Sequence, residues 1–226
     1  MATKKPAKPT TRAVMSRARV LRVALSLVDR GGLEALSMRK LAAKVGVEAM
    51  SLYNYVANKD DLYDGLVELV LGEVDLPRAG IPWRAAMATR ASSLRAVLLR
   101  HPGAAVLVDS CVTMTATRLR HADRVIGWMR SAGFTVTQSY RAFITLDSYI
   151  YGFTLQELSW PRPDRAKGAA DTAPPPAFPA DAFPHFAAAI AQVMSEAGAN
   201  GLGEAYDAEF DFGLTLILDG LERLRA

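Results

Sequence analysis

The chain has 226 residues, half of them apolar, so it can bury the core of one or two domains and is not disordered as a whole. Its single cysteine excludes a disulfide framework within the chain and a cysteine-rich zinc module, and is typical of a reducing, intracellular setting. The net charge of +4 is the sum of +8 over residues 1–60 and −4 over the remainder. This asymmetry indicates either that the N-terminal part, the head, binds a polyanion or that it has a solvated basic face.

The first residues predict a disordered basic arm over 1–12, followed by one amphipathic helix. Apolar residues recur at helical spacing from Val14 to Val28, and the pair Gly31-Gly32 ends the helix. Arginines interrupt the apolar stretch that a signal peptide needs, and no apolar run reaches the roughly 20 residues of a membrane-spanning helix. We therefore expect a soluble, cytoplasmic protein without a membrane partner.

Residues 33–63 predict two short helices that cross at a tight turn. Ser37 is a favourable N-cap for the first of them, and Gly46 breaks it where two crossed helices leave little room. The second short helix covers about residues 48–53. Asn58 then caps a longer helix whose first turn is acidic, as the helix dipole favours.

Proline and glycine residues near position 77 mark a domain junction, which separates a unit over 13–75 from a larger unit over 76–226. Further helices are predicted over about 83–100, 103–110, 115–131, 137–159, 185–198 and 205–225. Seven prolines within residues 161–184 predict a long flexible loop. Strand patterning is weak, so the predicted fold class is all-α, with about nine or ten helices in a three-helix head and a larger helical body.

An uninterrupted series of short motifs runs from residue 37 to residue 62: SMRKLA, VGV, LYNYV and NKDDL. This series resembles the helix-turn-helix DNA-binding domain of the tetracycline-repressor (TetR) family of transcriptional regulators. The resemblance is highly specific and covers about residues 14–72. The rest of the chain resembles, less specifically, the C-terminal domain of the same family, through RHPG at residues 100–103 and the apolar last helix.

The resemblance implies contacts with double-stranded DNA. Arg39 would contact a base edge through its forked donors, Glu48 could accept from a cytosine amine, and Met50 would offer apolar contact to a base. Lys59 would bind a phosphate with help from the helix dipole. The predicted DNA-contacting residues are Ser37, Met38, Arg39, Glu48, Ala49, Met50, Ser51, Tyr53, Asn54, Tyr55 and Lys59. Tyr55 could instead be a core aromatic, and the basic arm either enters a minor groove or acts as a loose tether.

The late helices are apolar enough to predict a dimer. The helix over 137–159 is apolar nearly all round, and the last helix has two apolar faces, of which one needs a partner or a large single-chain core. The resemblance implies a four-helix homodimer interface, whose two recognition helices select a palindromic operator. The predicted interface residues are Phe143, Ile150, Phe210, Leu214, Ile217 and Leu221.

The resemblance also implies a small-molecule effector in the body. Founding members of the family bind a tetracycline–magnesium complex through two histidines, whose positions fall near Val74 and Leu107 in this chain. Because neither residue can bind a metal, we expect no metal site, no cofactor, and a small apolar or amphipathic effector. The predicted pocket residues are Leu71, His101, Leu107, Ser110, Met114, Trp128, Tyr149 and Phe153, for each of which core packing is the alternative.

The leading functional prediction is therefore a ligand-responsive transcriptional repressor that an effector releases from its operator. One alternative is a DNA-binding regulator that a protein partner controls or that has no effector. Another is a helical enzyme, which the sequence does not favour because it contains no glycine-rich phosphate loop, nucleophile elbow or metal-ligand cluster.

Overall fold

The computed structural model describes residues 15–76, 80–110, 113–159, 179–197 and 202–225, and these contain ten α-helices and no strand. The helices are α1 (Arg17–Gly31), α2 (Met38–Val45), α3 (Ala49–Leu52), α4 (Lys59–Gly72), α5 (Trp83–Arg100), α6 (Pro102–Ser110), α7 (Ala116–Ser131), α8 (Val136–Ser159), α9 (Pro184–Ala197) and α10 (Leu202–Glu222). The all-α prediction is confirmed. The predicted arm over 1–12 and most of the predicted loop over 161–184 lie outside the described residues.

Capping side chains set the helix boundaries in the head. The side-chain oxygens of Ser37 and Asn58 accept hydrogen bonds from the backbone N–H groups of Lys40 and Asp61, and so begin α2 and α4. Gly46 ends α2 with a φ of 86°, in the left-handed region that glycine adopts without strain. The chain can therefore turn directly from α2 into α3.

The head is a compact arrangement of α1, α2 and α4, with α3 packed beside α2. Leu41, Leu52 and Val56 are buried at its centre and hold the two short helices against α1. The buried side of α1 includes Val20 and Leu21, whereas Ala18, which lies four residues after Val14 and so fits the spacing of the predicted apolar stripe, is exposed. The stripe therefore winds slightly differently from the predicted one.

One continuous apolar core joins the head to the body, and α6 lies at the junction. This helix packs against both α1 and α4. Gly103 of α6 approaches α1 so closely that an added Cβ would overlap the carbonyl oxygen of Val28. Next to it, Nδ1 of His101 lies 2.8 Å from Oδ2 of Asp29, and its Nε2 lies 3.3 Å from Oε2 of Glu73. The head is thus connected to the body by close packing and by polar contacts.

The body consists of α5 to α10. Helices α5, α7 and α8 pack against one another, α10 packs on α8, and α9 packs mainly on α10. Within the described residues, no helix is both long and apolar enough to cross a membrane. The same part of the chain contains no group of three potential metal-ligating side chains.

Candidate nucleic-acid interface

Helix α3 and the residues that flank it expose most of their side chains, while one residue of the helix anchors it. Leu52 is fully buried in the head. In contrast, the side chain of Met50 is 77% exposed and that of Tyr53 is 47% exposed, although both are large. Glu48 and Asn54 at the ends of the helix are also exposed. A rigidly anchored helix with an exposed, mixed apolar and polar surface has the form of a recognition helix for a major groove.

The starts of α2 and α4 lie side by side and form a second part of this surface. Ser37, Met38 and Lys59 line a cavity of about 180 Å³ together with Leu36 and Leu62. Lys59 is exposed, and its ammonium group lies 5.2 Å from the ring centre of Tyr63. Because the positive dipole ends of two helices meet beside a lysine, the cavity suits an anion such as a phosphate.

The remaining predicted DNA-contacting residues differ in exposure. Arg39 and Ala49 are exposed, whereas Met38, Ser51 and Tyr55 are half-buried. Met38 and Tyr55 pack against the apolar core, so part of each side chain is used for folding. Tyr55 therefore adopts much of the core role that the sequence left open as an alternative.

An ion pair that the sequence analysis missed holds the chain between α3 and α4. The guanidinium of Arg17 donates to both carboxylate oxygens of Asp61, at 2.6 and 2.8 Å, and also to the carbonyl oxygen of Tyr55 at 2.9 Å. Asp61 additionally accepts from the backbone N–H of Ala57 at 2.7 Å. The sequence pattern had assigned Asp61 only to the helix dipole, because nothing in the sequence brings residue 17 close to residue 61.

We predict that Asp61→Asn destabilises the protein in a pH-dependent way. The hydrogen bonds from Arg17 hold the pKa of Asp61 below its ordinary value of 3.8. A carboxyl group with a depressed pKa stabilises the fold above that ordinary value, and this contribution is lost as the pH falls through the depressed one. Urea unfolding should therefore show a lower free energy of unfolding for the variant at pH 7, and little difference well below pH 3.8.

Asp60→Asn is the matched control, because Asp60 is exposed in the same helical turn. An equal loss of stability in both variants at pH 7 would show that the acidic helix start matters and that the ion pair does not.

The eight residues predicted for an effector pocket occupy several different environments. The His101 ring is held between Asp29 and Glu73, so its polar contacts lie at the junction of head and body. Ser110 and Met114 are exposed, and Leu71 and Leu107 are buried in the core. Helical periodicity predicts which residues share one face of a helix, but it does not predict which other helix or cavity that face contacts.

The three aromatic members of that predicted set are also separated. Tyr149 and Phe153 both pack against the ring of Phe210, with ring centres 5.5 and 5.3 Å from it. Trp128 instead lines a cavity of about 470 Å³ with Trp83 at the start of α5. The structure thus distributes these residues over separate environments, and the effector pocket stays a prediction.

The predicted dimer interface also needs correction. Ile150, Phe210, Leu214 and Leu221 are buried within their own chain, so they are core residues, whereas Phe143 and Ile217 are half-buried. The helices α8 and α10 instead expose other large apolar side chains, which are Val136, Tyr140, Ile144, Phe212 and Leu216. The sequence identified two apolar faces on the last helix but assigned the wrong one to the surface.

Both the head and the body of the chain match described protein families. The chain matches the family described as bacterial regulatory proteins, tetR family, over residues 20–66. It matches the tetracyclin repressor-like C-terminal domain over residues 76–225. The HTH-type transcriptional repressor DrrR1 of Streptomyces coeruleorubidus is 32% identical over 216 residues, which cover 92% of this chain and 77% of that protein.

Two solved structures are similar over nearly the whole chain. A possible TetR family transcriptional regulator from Streptomyces coelicolor A3(2) is 33% identical, with a TM-score of 0.75, covering 93% of this chain and 100% of that one. ActR of Streptomyces coelicolor, solved in complex with actinorhodin, is 27% identical, with a TM-score of 0.71 and coverage of 92% and 96%. The chain therefore belongs to the tetR family of bacterial regulatory proteins and is a helix-turn-helix, DNA-binding transcriptional regulator.

Proposed function

We propose that the protein represses transcription by binding a palindromic operator as a homodimer in the cytoplasm, and that a small-molecule effector releases it. The observation that carries the proposal is the exposed surface at α3, where Met50 of the helix and Tyr53 directly after it project on either side of the buried anchor Leu52. Neighbouring exposed apolar side chains are typical of a binding surface, whereas a single one needs no explanation. The likeness to DrrR1, a repressor, and to ActR, which binds actinorhodin, supports repression and release by a ligand.

The homodimer is supported by the surface of the body. Val136, Tyr140 and Ile144 recur every four residues on α8, and Phe212 and Leu216 have the same spacing on α10. Residues four apart lie on one side of a helix, so each helix has an apolar stripe on its exposed side. Two such helices from each of two chains form a four-helix interface, which fixes the spacing of the two recognition helices.

Release by an effector requires that the body move the head. Helix α4 contacts α5 and α7 of the body as well as α1 and α6, so any shift of the body reaches the head directly. His101 bonds Asp29 of α1 and lies beside Glu73 at the end of α4. A coupling free energy of roughly 1–3 kcal/mol would change operator affinity 5–150-fold, which is enough for regulation.

The experiment is to select an operator from a random duplex library and to measure binding by fluorescence anisotropy. Arg39→Ala should weaken binding to the selected operator by roughly 1–3 kcal/mol and relax preference at one base pair in each half-site. Lys59→Ala should weaken binding to selected and unrelated duplexes alike, and should reduce the slope of log affinity against log salt by about one phosphate contact.

Arg124→Ala, which removes an exposed arginine from α7, is the matched control and should change neither quantity. Failure to enrich any sequence from the library would refute the proposed function. Equal effects of Arg39→Ala on selected and unrelated duplexes would instead refute only the base-reading role of Arg39.

A further inference from the structure

The interior of the body contains a group of polar residues that DNA binding does not use. Arg90 of α5 is 2% exposed, and its Nη1 lies 2.7 Å from Oδ1 of Asp147 on α8. His121 of α7 is also buried and lies within electrostatic reach of Arg90. Tyr151 of α8 lies within electrostatic reach of Arg90, Arg118 and Asp147. We name Arg90, Arg118, His121, Asp147 and Tyr151 the arginine cluster. It lies where α5, α7 and α8 meet.

Some hydrogen-bond donors of this cluster have no acceptor among the described residues. The Nε atoms of Arg90 and Arg118 are buried and have no hydrogen-bond partner there. A terminal nitrogen of Arg118 does donate to the carbonyl oxygen of Val108. Buried polar groups are almost always paired, because an unpaired one loses its hydration without compensation. Asp147 Oδ1 is also a buried atom without a hydrogen bond, although it lies close to Nη1 of Arg90. The two buried N–H donors therefore lack an acceptor among the described residues, and a bound ligand with an acceptor oxygen would supply one.

The charges of the cluster favour an anionic acceptor. Arg90 is paired with the carboxylate of Asp147, whereas Arg118 forms no ion pair with another described residue. Asp109 acts on Tyr151 from the exposed end of α6. Burial, assisted by the charges of Arg90 and Arg120, lowers the pKa of His121 to about 4, so this ring is neutral at pH 7. Burial and the charge of Asp147 raise the pKa of Tyr151, so its phenol is also neutral. The cluster has an excess positive charge that its own residues do not balance.

We propose that the arginine cluster is the recognition site for the effector, and that the effector carries an anionic oxygen group, such as a carboxylate, sulfonate or phenolate, on an apolar body. This inference rests on the proposed function and names the chemical class of its ligand. The apolar part is matched by buried side chains one turn away on the same helices, Met87 and Leu94 on α5 and Val125 on α7. Guanidinium groups bind oxyanions through paired, charge-assisted hydrogen bonds.

Contacts between neighbouring residues connect this site to the DNA-binding head. The backbone of Leu71, near the end of α4, forms a hydrogen bond with His121. This bond raises the pKa of His121, whereas burial lowers it. Helix α4 carries Lys59 at its other end and packs against α1 and α7. An anion bound at Arg90 would therefore lie within electrostatic reach of His121, whose ring is hydrogen-bonded to the helix that connects the body to the operator surface.

The test compares two fluorescent probes that differ only in charge, anilinonaphthalene sulfonate and the uncharged N-phenylnaphthylamine, on the full-length protein. We expect the sulfonate to bind the unaltered protein about tenfold more tightly or better, as a charge-assisted hydrogen bond provides. We also expect the sulfonate, and not the uncharged probe, to weaken operator binding. Equal affinities for the two probes would overturn the proposal, and this comparison needs no variant.

Two variants locate the effect. Arg118→Met leaves the pair of Arg90 with Asp147 intact, and the double variant Arg90→Met with Asp147→Asn removes that pair without leaving a buried charge alone. Each should lose the preference for the sulfonate while keeping its affinity for the uncharged probe, and Arg84→Gln, which alters an exposed pair with Asp219, should change nothing. An unchanged preference in both variants would overturn the proposal. Operator binding without probe, measured in parallel, reports separately on the proposed function.

Discussion

Replacing Phe212 and Leu216 together with glutamate should yield a folded monomer with strongly reduced operator affinity. Both side chains are large, and they are 63% and 57% exposed on the outer side of α10. Buried against a second chain they would stabilise a dimer, whereas two glutamates on each copy would bring like charges together in the interface. Because two linked heads bind more tightly than one, operator affinity should fall roughly 10²–10⁴-fold.

Light scattering gives the molar mass, and fluorescence anisotropy on the selected operator gives the affinity. Leu119→Glu is the matched control, because Leu119 is a comparably exposed apolar residue on α7. It should remain dimeric and bind the operator normally. A stable dimer of the double variant would contradict the proposed interface, and a monomer with unchanged affinity would contradict the link between dimerisation and DNA binding.

Gly103→Ala should destabilise the junction between head and body. Its new Cβ would overlap the carbonyl oxygen of Val28 and press against the side chain of the same residue. A backbone oxygen within α1 cannot move away cheaply, so α6 must shift relative to the head. Overpacking of this kind costs about 1–3 kcal/mol. For a chain of this size, each 1 kcal/mol lowers Tm by about 2–4 °C.

Gly127→Ala provides the opposite control on α7. No atom lies within contact distance of a Cβ added there, so alanine should stabilise the helix by roughly 0.5–1 kcal/mol. Thermal unfolding of the two variants should therefore move in opposite directions. Similar shifts for both would mean that the close approach of α6 to α1 does not constrain the fold. A changed operator affinity for Gly103→Ala alone would support coupling through this junction.

Much of the fold could be predicted from local patterns. The predicted helices over about 83–100, 103–110, 115–131 and 137–159 agree with α5 to α8 within one residue at each end. These boundaries are set by prolines, glycines and capping side chains that act within a few residues of the chain. The Asn58 cap and the Gly46 break were predictable for the same reason.

The candidate sites were less predictable because they depend on contacts between distant residues. Sequence periodicity identified two apolar faces of α10 but could not say which one its own chain would cover, so Leu214 was assigned to the dimer and Leu216 was not. It also assigned His101 to a pocket, although the ring bonds Asp29, which lies 72 residues earlier. No local pattern reports a contact over that distance.

The sequence by itself determined the order of helices, the family of the head and the chemistry of its exposed surface, because each of these follows from short motifs. Only the tertiary structure brought Arg17 to Asp61 and buried the Nε atoms of Arg90 and Arg118, which have no hydrogen-bond partner in the part of the chain that the structure describes. The physical reason is that burial and pairing depend on which helices pack together. The sequence around a charged residue therefore does not show whether its side chain lies on the surface or in the core.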